Sequence, residues 1–385
     1  MKTKIFCMMA FLLIGLSQPM EAWSWMQVNT DGFGYATNLG VFNMAVYNNN
    51  LYAVTENPAT GVEVWRHNGT NWTQVNNGGF GNANNGLSWW MTVYSTHLYV
   101  GTLNPATGAE VWGYNGTTWT QVNTPGFGNA NNISASSMAV YNNNLYVGTQ
   151  NPTTGAEVWR YNGATWAQVS ANGFGDPNNL DIWWMAVYNN NLYVGTQNPT
   201  TGAEVWRYNG ATWAQANTDG FGSANNVAAS SMAVYNNNLY VGTQNQTTGL
   251  EVWRYDGTAW TQVNTDGLGD TSNRDPWCMA VCDGNLYVGT WNPTRGGEVW
   301  RYNGGVWTQA NTSGFGDASN DAASSMVVYY NNLYVGTENL TTGGEIWLLP
   351  GSISVPTVNE WGVMILAILL GIGSVYKICR KTSDF

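Results

Sequence analysis

Between residues 23 and 350, apolar positions come in clusters of four or five separated by Asn, Gly and Thr, without the sustained 3.6-residue rhythm of a helix. The clusters recur at a fixed spacing. A Trp-x-Gln triplet starts at Trp25, Trp72, Trp119, Trp166, Trp213, Trp260 and Trp307, each 47 residues after the last. A Glu-(Val/Ile)-Trp triplet ends at Trp65, Trp112, Trp159, Trp206, Trp253, Trp300 and Trp347, with the same spacing. Residues 138–168 and 185–215 are identical, and the register never slips. Such a period marks one supersecondary unit copied along the chain, not a set of separate domains.

One period predicts four short strands: 185–188, 192–196, 204–208 and 212–216. An Asn-rich turn joins the first two, an Asn-Pro-Thr-Thr-Gly turn leads to the third, and Asn209-Gly210 makes a hairpin to the fourth. Met185 and Val187 would face one side of the sheet, and Ala186 and Tyr188 the other. A sheet apolar on both faces suits blades stacked on one another. The expected fold is all-β: a seven-bladed β-propeller of four-stranded blades over residues 23–350. The last period stops at Pro350-Gly351 without its fourth strand, and an orphan copy of that strand, Trp25-Met26-Gln27-Val28-Asn29, precedes the first. Pairing the two would close the ring and remove the exposed edge. The unit resembles the kelch repeat: a Leu-Tyr-Val-Gly-Thr strand stands where kelch has its double glycine, and a Tyr precedes a Trp by five residues, as Tyr208 does Trp213. Thr replaces the second glycine throughout, so the resemblance implies kelch-like architecture and not membership.

The two ends read differently. Residues 1–22 have the form of a secretory signal peptide, with Lys2 and Lys4, an apolar stretch over 5–16 and a cleavage site near Ala22. Cys7 lies in that stretch without the preceding small residue of a lipoprotein signal. Residues 351–385 carry Val355-Pro356-Thr357-Val358-Asn359-Glu360-Trp361-Gly362, an apolar run over 363–375 and a basic end with Lys377, Arg380 and Lys381. The run is short against the roughly 20 residues of a spanning helix, yet Trp361, Tyr376 and the basic end suit a short C-terminal transmembrane helix. Pro356, Thr357, Glu360, Trp361 and Gly362 resemble the IPTL-type tails of the PEP-CTERM sorting class of Gram-negative bacteria, with Val355 and Val358 in place of Ile and Leu. That resemblance implies recognition by an exosortase-like enzyme, an inner-membrane intermediate and delivery to the cell surface or the extracellular space.

Charge narrows the partners. The chain carries a net charge of −11, and residues 23–350 hold seven Arg, no Lys and 20 acidic residues. This repels phosphate backbones and argues against nucleic acid. Cys278 and Cys282 are four apart on one expected strand, roughly 13 Å at strand rise. That is too far for a disulfide between them.

Because the copies are so alike, candidate chemistry lies where they differ. The inter-blade loop carries Gly-Phe-Gly (Leu268 once replaces Phe) and an Asn at Asn38, Asn85, Asn132, Asn179, Asn226, Asn273 and Asn320. Just after that Asn the sequence diverges into Trp89, Trp90, Trp183, Trp184 and Trp277, expected immediately before the innermost strand. Trp291 ends a second strand, and Phe42 shares the position of Trp89, Trp183 and Trp277; Ser136, Ser230 and Ser324 fill it elsewhere. These aromatics are expected at the loop-rich face or channel mouth. There they would fill a tapering channel, stack on the sugar rings of an extracellular glycan, or meet a surface protein.

Asp176, Asp270 and Asp317, near Asp181, Asp275 and Asp321, are oxygen donors of the kind calcium takes, but EF-hand spacing is absent and solvated turn residues are the preferred reading. No cofactor is otherwise expected. The recurrent Glu63, Glu110, Glu157, Glu204, Glu251, Glu298 and Glu345 suit a structural role, bonding a neighbouring strand or an Arg. His67 and His97 sit at tight turns, and no Ser-His-Asp set, metal cluster or phosphate loop occurs. The sequence therefore points to a non-catalytic surface propeller binding carbohydrate or matrix. An adhesive protein acting by protein contact is the alternative, and a polysaccharide-active enzyme using Asp181 and Asp275 a distant third.

Overall fold

A computed structural model describes residues 24–351. The chain divides at Pro350, and the fold below is that of the first unit. The expected signal peptide, the Pro356–Gly362 sorting motif and the apolar run over 363–375 lie outside the described residues. Among the described residues no helix is long and apolar enough to cross a membrane.

The fold is all-β and propeller-like, built from a repeated antiparallel meander. In one repeat the strands are Asp181–Tyr188, Asn191–Gln197, Val205–Tyr208 and Trp213–Gln215, innermost first. Met185 pairs with Val194, Val194 with Trp206, and Tyr208 with Trp213. The Asn189-Asn190 turn has φ of 47° and 56°, as a tight primed hairpin requires. The innermost strand corrects the expectation from sequence, because it starts four residues early, at Asp181. A β-bulge breaks its register between Ile182 and Trp184, and the broken alternation makes the extra residues read as loop. The third strand begins one residue late, and the fourth is shorter than expected. Val187 also differs from expectation, standing 40% exposed while Met185 is buried.

The middle of each blade is buried on both faces. Leu192 and Val194 pack with Tyr141, Tyr146 and Val158 of the preceding blade. Tyr193 packs with Leu239 and Val241 of the next. Alternate residues of one strand thus serve two cores. Tyrosine hydroxyls tie neighbours further, as Tyr141 donates to the Asn190 carbonyl at 2.9 Å.

First and last repeats meet in the same manner. Met26–Gln27 pairs with Ile346–Leu349 through Met26↔Leu348 and Gln27↔Trp347. The Trp25 indole donates to the Ala310 carbonyl at 2.7 Å, and its ring meets Phe315 edge-on at 5.1 Å. Trp213 makes the matching bond to Val169, at 2.8 Å, and the matching edge contact to Phe174. Val41, Met44 and Leu51 pack with Tyr329, Tyr334 and Ile346 in one core. Gly40 pairs with Glu338.

A polar lattice holds the loops. Asn179 is fully buried: its amide donates to the Gly173 carbonyl at 2.9 Å and to Glu204 Oε2 at 2.8 Å, while its oxygen accepts from Thr196 and Asn198 at 3.0 and 3.1 Å. The Trp206 indole donates to the same Glu204 oxygen at 2.6 Å. The recurrent Glu therefore bonds an Asn and an indole of its own repeat, where a neighbouring strand or an Arg had been expected. Phe174 takes a left-handed φ of 56° and stacks on Trp206 at 4.8 Å, offsetting the strain of that backbone. Gly155 packs so closely on Gly173 that a Cβ would meet backbone at 2.7 Å, which explains the glycine in both turns.

Candidate functional site

Phe42, Trp89, Ser136, Trp183, Ser230, Trp277 and Ser324 all sit at the bulge of an innermost strand. A bulge re-aims a side chain, and here it turns these residues toward the ring's centre. They lie within the strand and not before it, which corrects the sequence reading. Taken in chain order from Phe42 to Ser324, large and small residues alternate except for one like pair. That pair is Phe42 and Trp89, whose rings meet at 4.9 Å. Trp89 also approaches Trp183 at 6.0 Å and Trp277 at 6.3 Å, and Phe42 approaches Trp277 at 5.8 Å. One residue on, Trp90 and Trp184 meet edge-to-face at 4.3 Å.

These rings divide the central space. On the side of the long loops they leave a cavity of about 270 Å³, lined by Phe42, Trp89, Trp90, Trp183, Trp184 and Trp277 with Leu103, Ser136, Gln150, Asp181, Ser230 and Ser324. A second space of about 380 Å³ lies toward the hairpins and shares Phe42, Trp90, Trp184 and Ser324. Phe42 is 5% exposed, whereas the five tryptophans are half-buried and present ring surface to the cavity. Trp291 stands apart from the lining, stacked on Trp277 at 6.4 Å with the Arg274 guanidinium 6.0 Å above its ring.

The polar groups of the cavity are incompletely bonded. Asp181 is 4% exposed, and burial pushes its carboxyl up to about 7 even though the Ser136 hydroxyl and the Ile182 backbone N–H favour the charged form. Its Oδ1 has no well-aligned hydrogen-bond donor, and the Ser136 and Ser230 hydroxyls and the Trp183 indole N–H likewise lack well-aligned partners. Asp275 begins the inner strand two repeats later. It is fully buried and also pushed to about 7 by burial, with Ser230, Trp277 and Gln244 partly opposing the shift. The Gln244 amide donates to its Oδ2 at 2.9 Å, while Oδ1 lacks a bonded partner.

Where the first and last repeats meet, Glu338 is raised by burial and by the charge of Asp321 and Glu56, and Asp321 and Glu56 are raised by burial. Among the described residues no group of three or more His, Cys, Asp and Glu is placed to hold a metal. Asp176, Asp270 and Asp317 instead cap turns, accepting the backbone N–H of Asn178, Ser272 and Ser319 at 2.9 Å. Asp270 also pairs with Arg295 at 3.4 Å. His67 packs against Trp72 at 4.9 Å and is not among the residues lining the cavity. Cys278 and Cys282 are both free and buried.

Sequence reasoning picked out the six aromatics of the cavity but considered Asp181 only as a turn oxygen or in the distant enzyme alternative, apart from them, and it missed Gln150 and Leu103. Asp181 did carry a signal: its position varies as Gly40, Leu87, Ser134, Asp181, Ala228, Asp275 and Ala322, more variable than the bulge itself. Gln150 recurs as Gln197 and Gln244, so it looked like an ordinary copy.

The sequence matches no known family profile and no curated protein. The structure is similar to solved propellers. The extracellular domain of a hybrid two-component system from B. thetaiotaomicron superposes with a TM-score of 0.56 at 12% identity, over 84% of this chain and 42% of that one. The WD40 β-propeller domain of Doa1 gives 0.55 at 13% identity, over 84% and 96%. A GH74 enzyme from Niastella koreensis gives 0.53 at 16% identity, over 82% and 53%. At these identities the likeness concerns the fold, and it makes this chain a protein of repeated-blade, propeller-like architecture. The chain spans about half or less of the first and third of these proteins.

Proposed function

We propose that this chain is a non-catalytic, seven-bladed propeller of kelch-like architecture that binds extracellular carbohydrate in its central cavity. In this reading residues 1–22 direct export, and the Pro356–Gly362 motif hands the chain to an exosortase-like enzyme at the inner membrane before release to the surface. The observation that carries the binding role is the cavity itself. Five half-buried indoles and Phe42 converge there with buried polar groups that lack well-aligned partners, the mixture a sugar's C–H face and hydroxyls need. Pure channel filling would leave neither the space nor the unbonded hydroxyls.

A glycan array probed with the full-length chain tests this. Binding that disappears in Trp89→Ala and Trp183→Ala, with folding retained, is the expected result. Adhesion retained with no glycan bound by the folded chain would favour a protein partner instead.

One observation favours catalysis as a second reading: carboxyls near 7 are suited to proton transfer. A glycosidase needs two carboxyls flanking one bond, and Asp181 is the carboxyl among the lining residues. Turnover of polysaccharide lost in Asp181→Asn would establish the enzyme.

A further inference from the structure

The glycan reading leaves the chemistry of the sugar open, and the buried groups of the cavity narrow it. Asp181, Ser136 and Ser230 are 4%, 4% and 1% exposed, yet Asp181 Oδ1 and both hydroxyls have no well-aligned hydrogen-bond partner, the hydroxyls only lying beside the Asp181 and Asp275 carboxyls. A buried carboxylate needs a cation or several donors to stay charged. The residues around this cavity include no Lys, Arg or His, and the repeats as a whole hold seven Arg and no Lys. The missing positive charge must come from outside the chain or be replaced by a proton. The aromatic lining points the same way, since indole faces attract cations as well as C–H groups, most strongly when water is excluded. An acidic sugar would place a second negative charge beside Asp181.

Resting on that reading, we infer that the ligand is a sugar carrying a free, protonated amine, its ring against Trp89 and Trp183 and its ammonium donating to Asp181 Oδ1 and Ser136 Oγ. A volume of about 270 Å³ lies just under the roughly 300–1,000 Å³ of common ligand clefts. The cavity thus takes about one ring, which makes the amino sugar a chain end or a branch. Ionisation of Asp181 on binding releases the proton it would otherwise hold.

The test uses the full-length chain and oligomers of equal length made of glucosamine, N-acetylglucosamine and glucose, followed by calorimetry and tryptophan fluorescence. Glucosamine oligomers should bind at least tenfold more tightly than the other two. Asp181→Asn should abolish that preference and leave the three nearly equal. Trp183→Ala should weaken all of them. If Asp181→Asn does not fold, Ser136→Val, which covers the carboxyl, should lose the same preference. Equal affinity for amine and neutral oligomers overturns the amine assignment and leaves the glycan reading in place. So does a preference that survives both Asp181→Asn and Ser136→Val. If the folded chain binds no oligomer at all, the glycan reading fails and this inference fails with it.

Discussion

The loop lattice and the inner bulges lie only a few residues apart, but they follow opposite rules. In the lattice the repeats are copies, and the buried polar atoms of Asn179 and Glu204 all find partners. At and beside the bulges the repeats diverge, and Asp181, Ser136, Ser230 and Trp183 keep polar atoms without well-aligned partners. Native interiors leave few such atoms, and although others occur elsewhere in the repeats, those of Ser136, Asp181, Trp183, Ser230 and Trp277 share one cavity, which separates a part built to hold shape from a part built to meet something else. The comparison can be broken at either end.

The largest effect should come from the lattice side of the ring closure. Deleting residues 24–29 removes the Met26–Gln27 pairing and the Trp25 anchor, and bares the edge of the last blade. Losing a packed Trp alone costs about 3–5 kcal/mol. With the strand gone, the loss should exceed about 5 kcal/mol, a large part of a typical domain's stability. Chemical denaturation would show a collapsed midpoint or aggregation; an unchanged midpoint would mean the ring does not depend on this strand.

The next effect has the opposite sign and belongs to the cavity. Burial raises Asp181 from 3.8 to about 7, so the folded state holds a proton that the unfolded state releases near pH 4. Its contribution is fully present below about pH 4 and is lost as pH rises through 7. By pH 8 the loss is on the order of 4 kcal/mol. Asp181→Asn should therefore melt higher than the parent at pH 8 and nearly equal to it at pH 4. A parent at least as stable at pH 8 as the variant would show the carboxylate already compensated.

In the lattice, removing a polar group should do harm. Asn179→Ala strips a carboxylate of one donor and takes one bond each from the Gly173 carbonyl, Thr196 and Asn198, which keep others to Asp176 and Glu204. The cost should be about 3 kcal/mol at pH 7, read from urea denaturation. A loss under about 1 kcal/mol would mean water replaces the amide and the lattice is not what fixes the loops.

Strict periodicity made the strand order, the turns and the missing outer strand legible in the sequence, because each copy repeats the same local chemistry. The bulge was not legible. Two-residue alternation identifies strands, and an extra residue at Trp183 shifts the alternation so that Asp181-Ile182-Trp183-Trp184 reads as the end of a loop. The aromatic candidates were visible as departures from the copy. That they share the loop-rich face or channel mouth was an expectation from the ring; which rings touch was not legible, since Phe42, Trp89 and Trp277 meet from repeats far apart in sequence. The role of Asn179 also stayed hidden, because an Asn in a Gly-rich loop looks like turn chemistry until its burial is known.

The smallest effect compares one residue type in the two regions. Trp213 donates its N–H to Val169, stacks on Tyr208 at 4.6 Å and meets Phe174 at 5.0 Å. Trp183 leaves its N–H unbonded and approaches Trp89 at 6.0 Å. Both indoles are half-buried, so area alone predicts similar costs on truncation. Partners should separate them: Trp213→Ala loses a hydrogen bond, a stack and an edge contact, while Trp183→Ala only widens a space that is already open. The first should cost about 2 kcal/mol more than the second in thermal or urea unfolding. Sugar binding should reverse the order, with Trp183→Ala impaired and Trp213→Ala close to the parent at temperatures where it remains folded. Equal stability losses would make the bulge indoles part of the core. The cavity between them would then be a packing defect, and the distinction between the two regions would fail at its most direct test.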